Sequence, residues 1–216
     1  LDKDGNIALD SDINIKTLTF LQDLVKEGIA VVAPGGFHHS EEYYGFMNQG
    51  GAASIWMPMW YMGRFTDYMP DLKGKIAIKP MPAWPEGGGR SAGMGGTGTV
   101  VTNQSKNTEL AKELLAFAKI SNEGNIQLWQ FLGFDPIRTE TWSDPALREP
   151  NKFTEYFGDN IFDTLLEFKD EIAGVTIGER TPDVISAVQT QVMPSVIRDM
   201  KDPAATLKAV ADELRR

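Results

Sequence analysis

The 216-residue chain has no cysteine, no excess of basic residues and no long apolar segment, and each absence excludes a class of protein. Without cysteine there is no disulfide framework, thiolate metal site or cysteine nucleophile. The formal net charge of −9 argues against a nucleic-acid partner, since phosphate recognition needs a basic face. No apolar run reaches the ~20 residues that cross a bilayer, and no signal peptide begins the sequence. The 42% hydrophobic content suits a globular protein with a real core and an acidic surface, able to bind a neutral ligand.

Hydrophobic periodicity predicts a helix-rich α/β chain. Apolar residues recur on one helical face between Ile15 and Val25, Ser11 or Asn14 can cap the start, and Gly28 can end the helix. Further helices are predicted at 41–48, from a cap at Asn107 to at least 117, and at 121–132, 151–171, 182–199 and 203–216. β-Branched or alternating residues predict short strands at 54–57, 75–79 and 99–102.

Two tryptophans follow the small residues between Gly50 and Ser54. Trp56 and Trp60 lie on either side of Pro58, which ends the predicted strand because it cannot donate a ladder hydrogen bond. An indole in a loop at a strand end can stack on the C–H face of a pyranose. The pattern leaves open whether either ring packs into a core instead.

Two motifs resemble known sites but lack the context that those sites need. Residues 93–98 match G-x-G-x-x-G, yet β-branched residues follow where a dinucleotide site needs a helix. These glycines are predicted to allow φ > 0 or a close approach of the backbone to a ligand. His38, His39, Glu41 and Glu42 include potential metal ligands, but adjacent histidines diverge and no third fixed ligand follows, so a solvated loop is preferred. No carboxylate pair has a recognisable catalytic setting, and we predict no catalytic residue, metal or cofactor.

Four blocks along residues 10–138 resemble the C-terminal half of extracellular solute-binding proteins of carbohydrate ABC importers. They are Gly50–Trp60, Asp71–Pro82, Gly95–Val101 and Ser105–Leu115. Past residue 138 the resemblance rests mainly on helix order. It implies an α/β fold of the periplasmic-binding-protein-like type II, consisting mainly of the C-terminal lobe. Residues 1–75 would begin that lobe, 76–137 would cross into the N-terminal lobe, and 138–216 would complete the C-terminal lobe with helices.

The resemblance also implies which residues hold a sugar. Trp60 occupies the stacking position, with Trp56 as a second candidate. Gly95, Gly96 and Thr97 correspond to a loop whose backbone and hydroxyl reach the cleft.

A further part of the implied site lies before a late helix. Glu179 and Arg180 stand where the family sends residues into the cleft, although an exposed ion pair at a helix start also explains them. Val184, Ile185 and Val188 stand where maltose-binding relatives carry a tryptophan, which leaves the sugar open.

The function implied is a receptor that delivers a neutral oligosaccharide to the permease subunits of an ABC transporter. The block from Gly95 to Thr102 most resembles the arabino-oligosaccharide branch. The protein would be extracellular, anchored by a lipid upstream of Leu1, or periplasmic. With about half of such a protein upstream, the 76–137 segment would expose an apolar face and is expected to self-associate. The alternative is a glycoside-active enzyme domain that uses the same tryptophans as subsites.

Overall fold

The computed structural model describes residues 1–93 and 95–216. Its contacts divide the chain into two units. The first joins Leu1–Gly36 to Val175–Arg216, and the second comprises Phe37–Gly174. These units are defined by contacts within the chain and do not test the predicted lobe boundaries after residues 75 and 137, which stay a prediction.

The first unit is built from three helical segments that share one apolar core. They are α1 (Asp12–Lys26), α8 (Thr181–Ala187) and α9 (Pro203–Leu214). Helix α8 continues as two π-helical stretches, Val188–Val192 and Pro194–Arg198, around a proline that has no N–H to donate. The buried core contains Leu18, Ala187, Val192, Val196, Leu207 and Val210.

A buried glutamine side chain and an ion pair hold the segments of the first unit together. The Gln22 side chain is 2% exposed, and its Nε2 donates to the carbonyl oxygens of Val196 and Lys201, both at 2.8 Å. These two bonds satisfy a buried polar group and join α1 to the second π-helical stretch and to the turn before α9. Arg215 pairs with Asp10 at 2.5 Å, which places the two ends of the unit side by side.

The predicted end of α1 at Gly28 is confirmed, whereas Ser11 occupies the N-cap position without making a side-chain capping bond. Gly28 adopts φ +71° after α1, its N–H donates to Val25 O, and the Ile29 N–H donates to Leu24 O. This is the Schellman arrangement, which satisfies carbonyls that the helix end leaves free. Asp202 caps α9 by accepting from the Ala205 N–H at 2.7 Å.

The second unit holds six helices among its described residues. Their bounds are α2 (Glu41–Asn48), α3 (Met62–Tyr68), α4 (Thr108–Ile120), α5 (Asn122–Leu132), α6 (Lys152–Phe157) and α7 (Ile161–Leu166). The helix predicted at 151–171 is therefore wrong as one element. Gly158 adopts φ +97° and interrupts it, and a 3₁₀ turn at Lys169–Glu171 ends the region.

The sheet content is much lower than the α/β prediction requires. The described residues contain two strands of two residues each, β1 (Ser91–Ala92) and β2 (Ile172–Ala173), which pair in parallel. The strands predicted at 54–57, 75–79 and 99–102 are absent from the described structure. A β-branched or alternating segment becomes a strand only when another backbone accepts and donates its ladder bonds, and these three segments have no such partner here.

Helix α4 turns its apolar residues outward. Leu110, Leu114, Phe117 and Ile120 are 66%, 63%, 44% and 59% exposed, and α4 has no buried residue. By contrast, Trp129 of α5 is fully buried and donates from Nε1 to Leu147 O at 2.9 Å. The outward residues of α4 define an unpartnered apolar face. None of the described helices is both long enough and apolar enough to cross a membrane.

Candidate functional site

The glycines before the tryptophans end a helix. Gly50 adopts φ +76° and its N–H donates to Met47 O, while the Gly51 N–H donates to Phe46 O at 2.9 Å. A Cβ on Gly51 would lie 2.3 Å from the Phe46 ring. Gly50 therefore supplies the left-handed residue of the C-terminal cap of α2, a side chain at Gly51 would require the Phe46 ring to move, and no strand follows them.

Trp60 lies in a 3₁₀ turn, Met59–Tyr61, that leads directly into α3. The turn begins after Pro58, whose carbonyl oxygen accepts from the Tyr61 N–H at 3.0 Å. The indole is partly buried and packs edge to face against the His39 imidazole and the Tyr61 ring, with both centroid distances at 5.7 Å. The ring is thus supported by neighbouring rings while part of its surface stays open.

Tyr61 anchors this arrangement to the core. It is 1% exposed, its hydroxyl donates to His38 O at 2.5 Å, and its ring lies edge to face on Phe65. Burial raises the pKa of the Tyr61 phenol well above its ordinary value. The phenol therefore stays neutral and keeps its hydrogen bond, which fixes the backbone beside His39.

His39 is packed against four rings, an arrangement that was not predicted from the sequence. Its ring centroid lies 5.3 Å from Phe37, 4.4 Å from His38, 5.7 Å from Trp60 and 5.6 Å from Tyr61. Nε2 is buried and has no hydrogen-bond partner among the described residues. The pKa of His39 is lowered because burial disfavours the imidazolium, and the charges of His38 and Arg64 act in the same direction.

The imidazole packing replaces the solvated loop that the sequence favoured for this segment. Both histidines are half-buried, and each contacts Tyr61. Across the described part of the chain, no group of three or more His, Cys, Asp or Glu residues is arranged to hold a metal ion. The one signal in the sequence that could have indicated an aromatic cluster is the run Phe37-His38-His39 itself.

Trp56 stands apart from the Trp60 cluster. It is 46% exposed, and no ring contact involves it among the residues that the structure describes. The two indoles are therefore not stacked on each other. An exposed indole of this kind offers a free face to a ligand.

The loop at Gly95, Gly96 and Thr97 is exposed and irregular. Gly95 and Gly96 adopt φ +94° and +153°, values that disfavour side chains, and a Cβ on either would have nothing within 4 Å. Backbone conformation, rather than close approach to this chain, is what requires glycine at the two positions. Met94, which belongs to the G-x-G-x-x-G match, lies outside the described residues.

Glu179 and Arg180 belong to the first unit and differ in their surroundings. Arg180 donates from Nε to Asp183 at 2.8 Å and from Nη2 to Leu214 O at 2.8 Å, which commits the guanidinium to contacts within the protein. Glu179 lines an open groove of about 630 Å³ at the start of α8. The other residues of this groove are Ile177, Gly178, Thr181, Pro182, Ile185, Ser186 and Gln189.

Comparison with known proteins identifies the class. A family model described as bacterial extracellular solute-binding protein matches residues 1–120, and the chain belongs to this family. An arabinooligosaccharide-binding protein of Bacillus subtilis strain 168 is 56% identical over 218 residues, covering 100% of this chain and 50% of the relative. An arabinooligosaccharide-binding protein of Halalkalibacterium halodurans is 51% identical over 215 residues, covering 99% of this chain and 48% of the relative.

Membership of this family bears on the fold, the location and the chemistry of the chain. The family implies a periplasmic-binding-protein-like fold and a location outside the cytoplasmic membrane or in the periplasm. It is a family of binding proteins, which confirms the prediction that the chain is not an enzyme. The chain spans about half the length of the curated relatives that it matches.

Proposed function

We propose that this chain forms part of a receptor that binds an arabino-oligosaccharide and delivers it to the permease subunits of an ABC transporter. The observation that carries the proposal is the identity of 51–56%, sustained over 99–100% of the chain, with two proteins named for binding that class of sugar. A neutral sugar also suits a chain with net charge −9, since no basic surface is needed to hold it.

The proposed binding mode combines stacking with hydrogen bonds. Trp60 presents an indole that is supported by His39 and Tyr61 and is still partly open, as a platform for a sugar ring requires. Trp56, with 46% of its surface exposed, is proposed as a second platform. A sugar ring presents C–H faces for such contacts and hydroxyls for polar ones.

Polar contacts are proposed at two other places. The backbone of Gly95 and Gly96 and the hydroxyl of Thr97 are free to bond sugar hydroxyls from an exposed loop. Glu179 lines an open groove and supplies a carboxylate acceptor for a sugar hydroxyl. Arg180 was predicted as its companion, and a role for it in binding requires it to exchange at least one of its bonds to Asp183 and Leu214.

The rest of the receptor follows the family pattern. We propose that residues 1–75 and 138–216 belong to one lobe and that 76–137 cross into the other. Closure of the lobes over a sugar would present the bound form to the permease. Attachment to the membrane by a lipid, or free movement in the periplasm, would keep the receptor near that permease.

The apolar face of α4 is proposed to be covered in a protein of the relatives' length. Its four outward residues would cost hydrophobic free energy if left in water. The relatives contain about as much chain again as is present here, enough to supply a covering layer. The 216-residue chain by itself is expected to cover this face with a second copy.

The test of the proposed function is binding and product analysis on the full-length protein. A thermal-shift screen with arabinotriose, xylotriose and maltotriose should raise Tm most with arabinotriose, because a ligand that binds only the native state stabilises it. Chromatography after long incubation should return the arabinotriose intact. Equal shifts for all three sugars, or none, would contradict the proposed ligand, and cleavage would favour a glycosidase.

A further inference from the structure

The contacts around His39 restrict what its ring can do. Four rings surround it at centroid distances of 4.4–5.7 Å, so the imidazole is held by packing. The backbone next to it is fixed as well, because the buried Tyr61 hydroxyl donates to the carbonyl oxygen of His38. A change in the imidazole is therefore transmitted to the rings packed on it, and the partly buried Trp60 indole is one of them.

Protonation is the change that this packing disfavours. A neutral imidazole needs a donor partner for one ring nitrogen and an acceptor for the other, whereas an imidazolium donates from both. Nε2 is buried without any partner among the described residues, so a proton added there would create an unpaired donor and a poorly solvated charge. The ring would have to turn toward water, and the 5.7 Å contact with the Trp60 indole would be lost.

We propose that His39 is a positioning residue for Trp60: the neutral imidazole holds the indole platform in its orientation, and protonation of His39 releases it. The inference rests on the proposed function, because it concerns the platform on which the sugar would stack. Protonation of His39 at mildly acidic pH would therefore lower the affinity for sugar, although the imidazole itself need not contact the sugar.

The charged and titratable groups around His39 favour the neutral state at neutral pH. The charges of His38, on the same loop, and Arg64, on α3, both disfavour a further positive charge, and burial acts in the same direction to lower the pKa of His39. Tyr61, the other titratable ring in contact, stays neutral because burial raises the pKa of its phenol. Since packing lowers the pKa of His39, the neutral form still prevails at the ordinary histidine value of 6.5 and is lost only as the pH falls further.

The experiment is a pH titration of the full-length protein carrying 5-fluorotryptophan, followed by ¹⁹F NMR. The Trp60 resonance is assigned from a Trp60→Phe variant. In the unmodified protein this resonance should move between about pH 7.5 and pH 4.5 with a midpoint below the ordinary histidine pKa of about 6.5. His39→Phe, which keeps a ring without a titrating nitrogen, should abolish the movement. His38→Phe is the matched control: it should keep the movement and raise its midpoint, because one neighbouring positive charge is gone.

Sugar binding gives the second readout. The affinity for arabinotriose should fall about tenfold from pH 7.5 to pH 5 in the unmodified protein and stay constant in His39→Phe. His39→Ala should weaken binding even at neutral pH, because the indole loses its support. If that variant does not fold, the ¹⁹F titration and the affinity of His39→Phe still decide the question.

The two proposals fail in different ways. A Trp60 resonance that does not titrate, or that titrates equally in His39→Phe, overturns the positioning role whether or not sugar binds. A resonance that titrates as expected in a protein that binds no oligosaccharide supports the positioning role and contradicts the proposed function.

Discussion

Replacing Trp60 with alanine should weaken sugar binding and also destabilise the fold. The ring makes two edge-to-face contacts at 5.7 Å, with His39 and Tyr61. Such pairs contribute about 0.5–1.5 kcal/mol each, so the free energy of unfolding should fall by about 1–3 kcal/mol. Loss of a stacked sugar should cost a further 1–3 kcal/mol of binding, roughly a fivefold to 150-fold rise in Kd.

Calorimetry with arabinotriose and urea unfolding, both on the full-length protein, separate the two effects. Trp56→Ala is the matched control, because Trp56 is 46% exposed and has no ring contact among the described residues. Its loss should leave stability within about 0.5 kcal/mol of the unmodified protein. If Trp60→Ala lowers stability as expected but leaves Kd unchanged, Trp60 only packs, and the platform proposal is refuted.

Three further substitutions test the cap, the glycine loop and the apolar face. Gly51→Ala should lower the free energy of unfolding by about 1–3 kcal/mol in urea, because its Cβ would lie 2.3 Å from Phe46. Gly45→Ala is the matched control, because Gly45 lies in the middle of α2 and a Cβ there would have nothing within 4 Å; its effect on stability should be neutral or favourable. Equal losses of unfolding free energy in the two variants would contradict the prediction. Gly96→Val should raise the sugar Kd at least tenfold, about 1.4 kcal/mol, because valine disfavours the φ of +153° that Gly96 adopts. An unchanged Kd would show that the loop only connects neighbouring elements and does not contribute to binding. In light scattering the unmodified 216-residue chain should be an oligomer, and Phe117→Glu should convert it to a monomer. A monomeric unmodified chain would refute self-association.

Local signals in the sequence were sufficient for most helices. The helix predicted at 41–48 has the bounds Glu41–Asn48, and the helix predicted at 121–132 begins one residue later with Ser121 as its cap. Gly28 ends α1 as expected. These predictions succeed because caps and amphipathic periodicity depend on residues within one or two turns of each other.

The candidate site shows the opposite case. His39 and Trp60 are 21 positions apart in the sequence, and their contact depends on how α2 and α3 pack. The Arg180 guanidinium reaches the carbonyl oxygen of Leu214, 34 residues away, which no local pattern indicates. Sequence reasoning therefore found the tryptophan that a resemblance assigns to stacking and missed the histidine that supports it.

The missing strands and the outward face of α4 have a common physical basis. The segments 75–79 and 99–102 have the composition of strands but no backbone partner among the described residues, and α4 has an amphipathic sequence but no core to cover. Both patterns specify contacts with another layer of structure, because ladder bonds and apolar burial each need a second surface. Since the curated relatives are about twice as long, we propose that one layer supplies both partners: a sheet that pairs with these segments and packs on Leu110, Leu114 and Phe117.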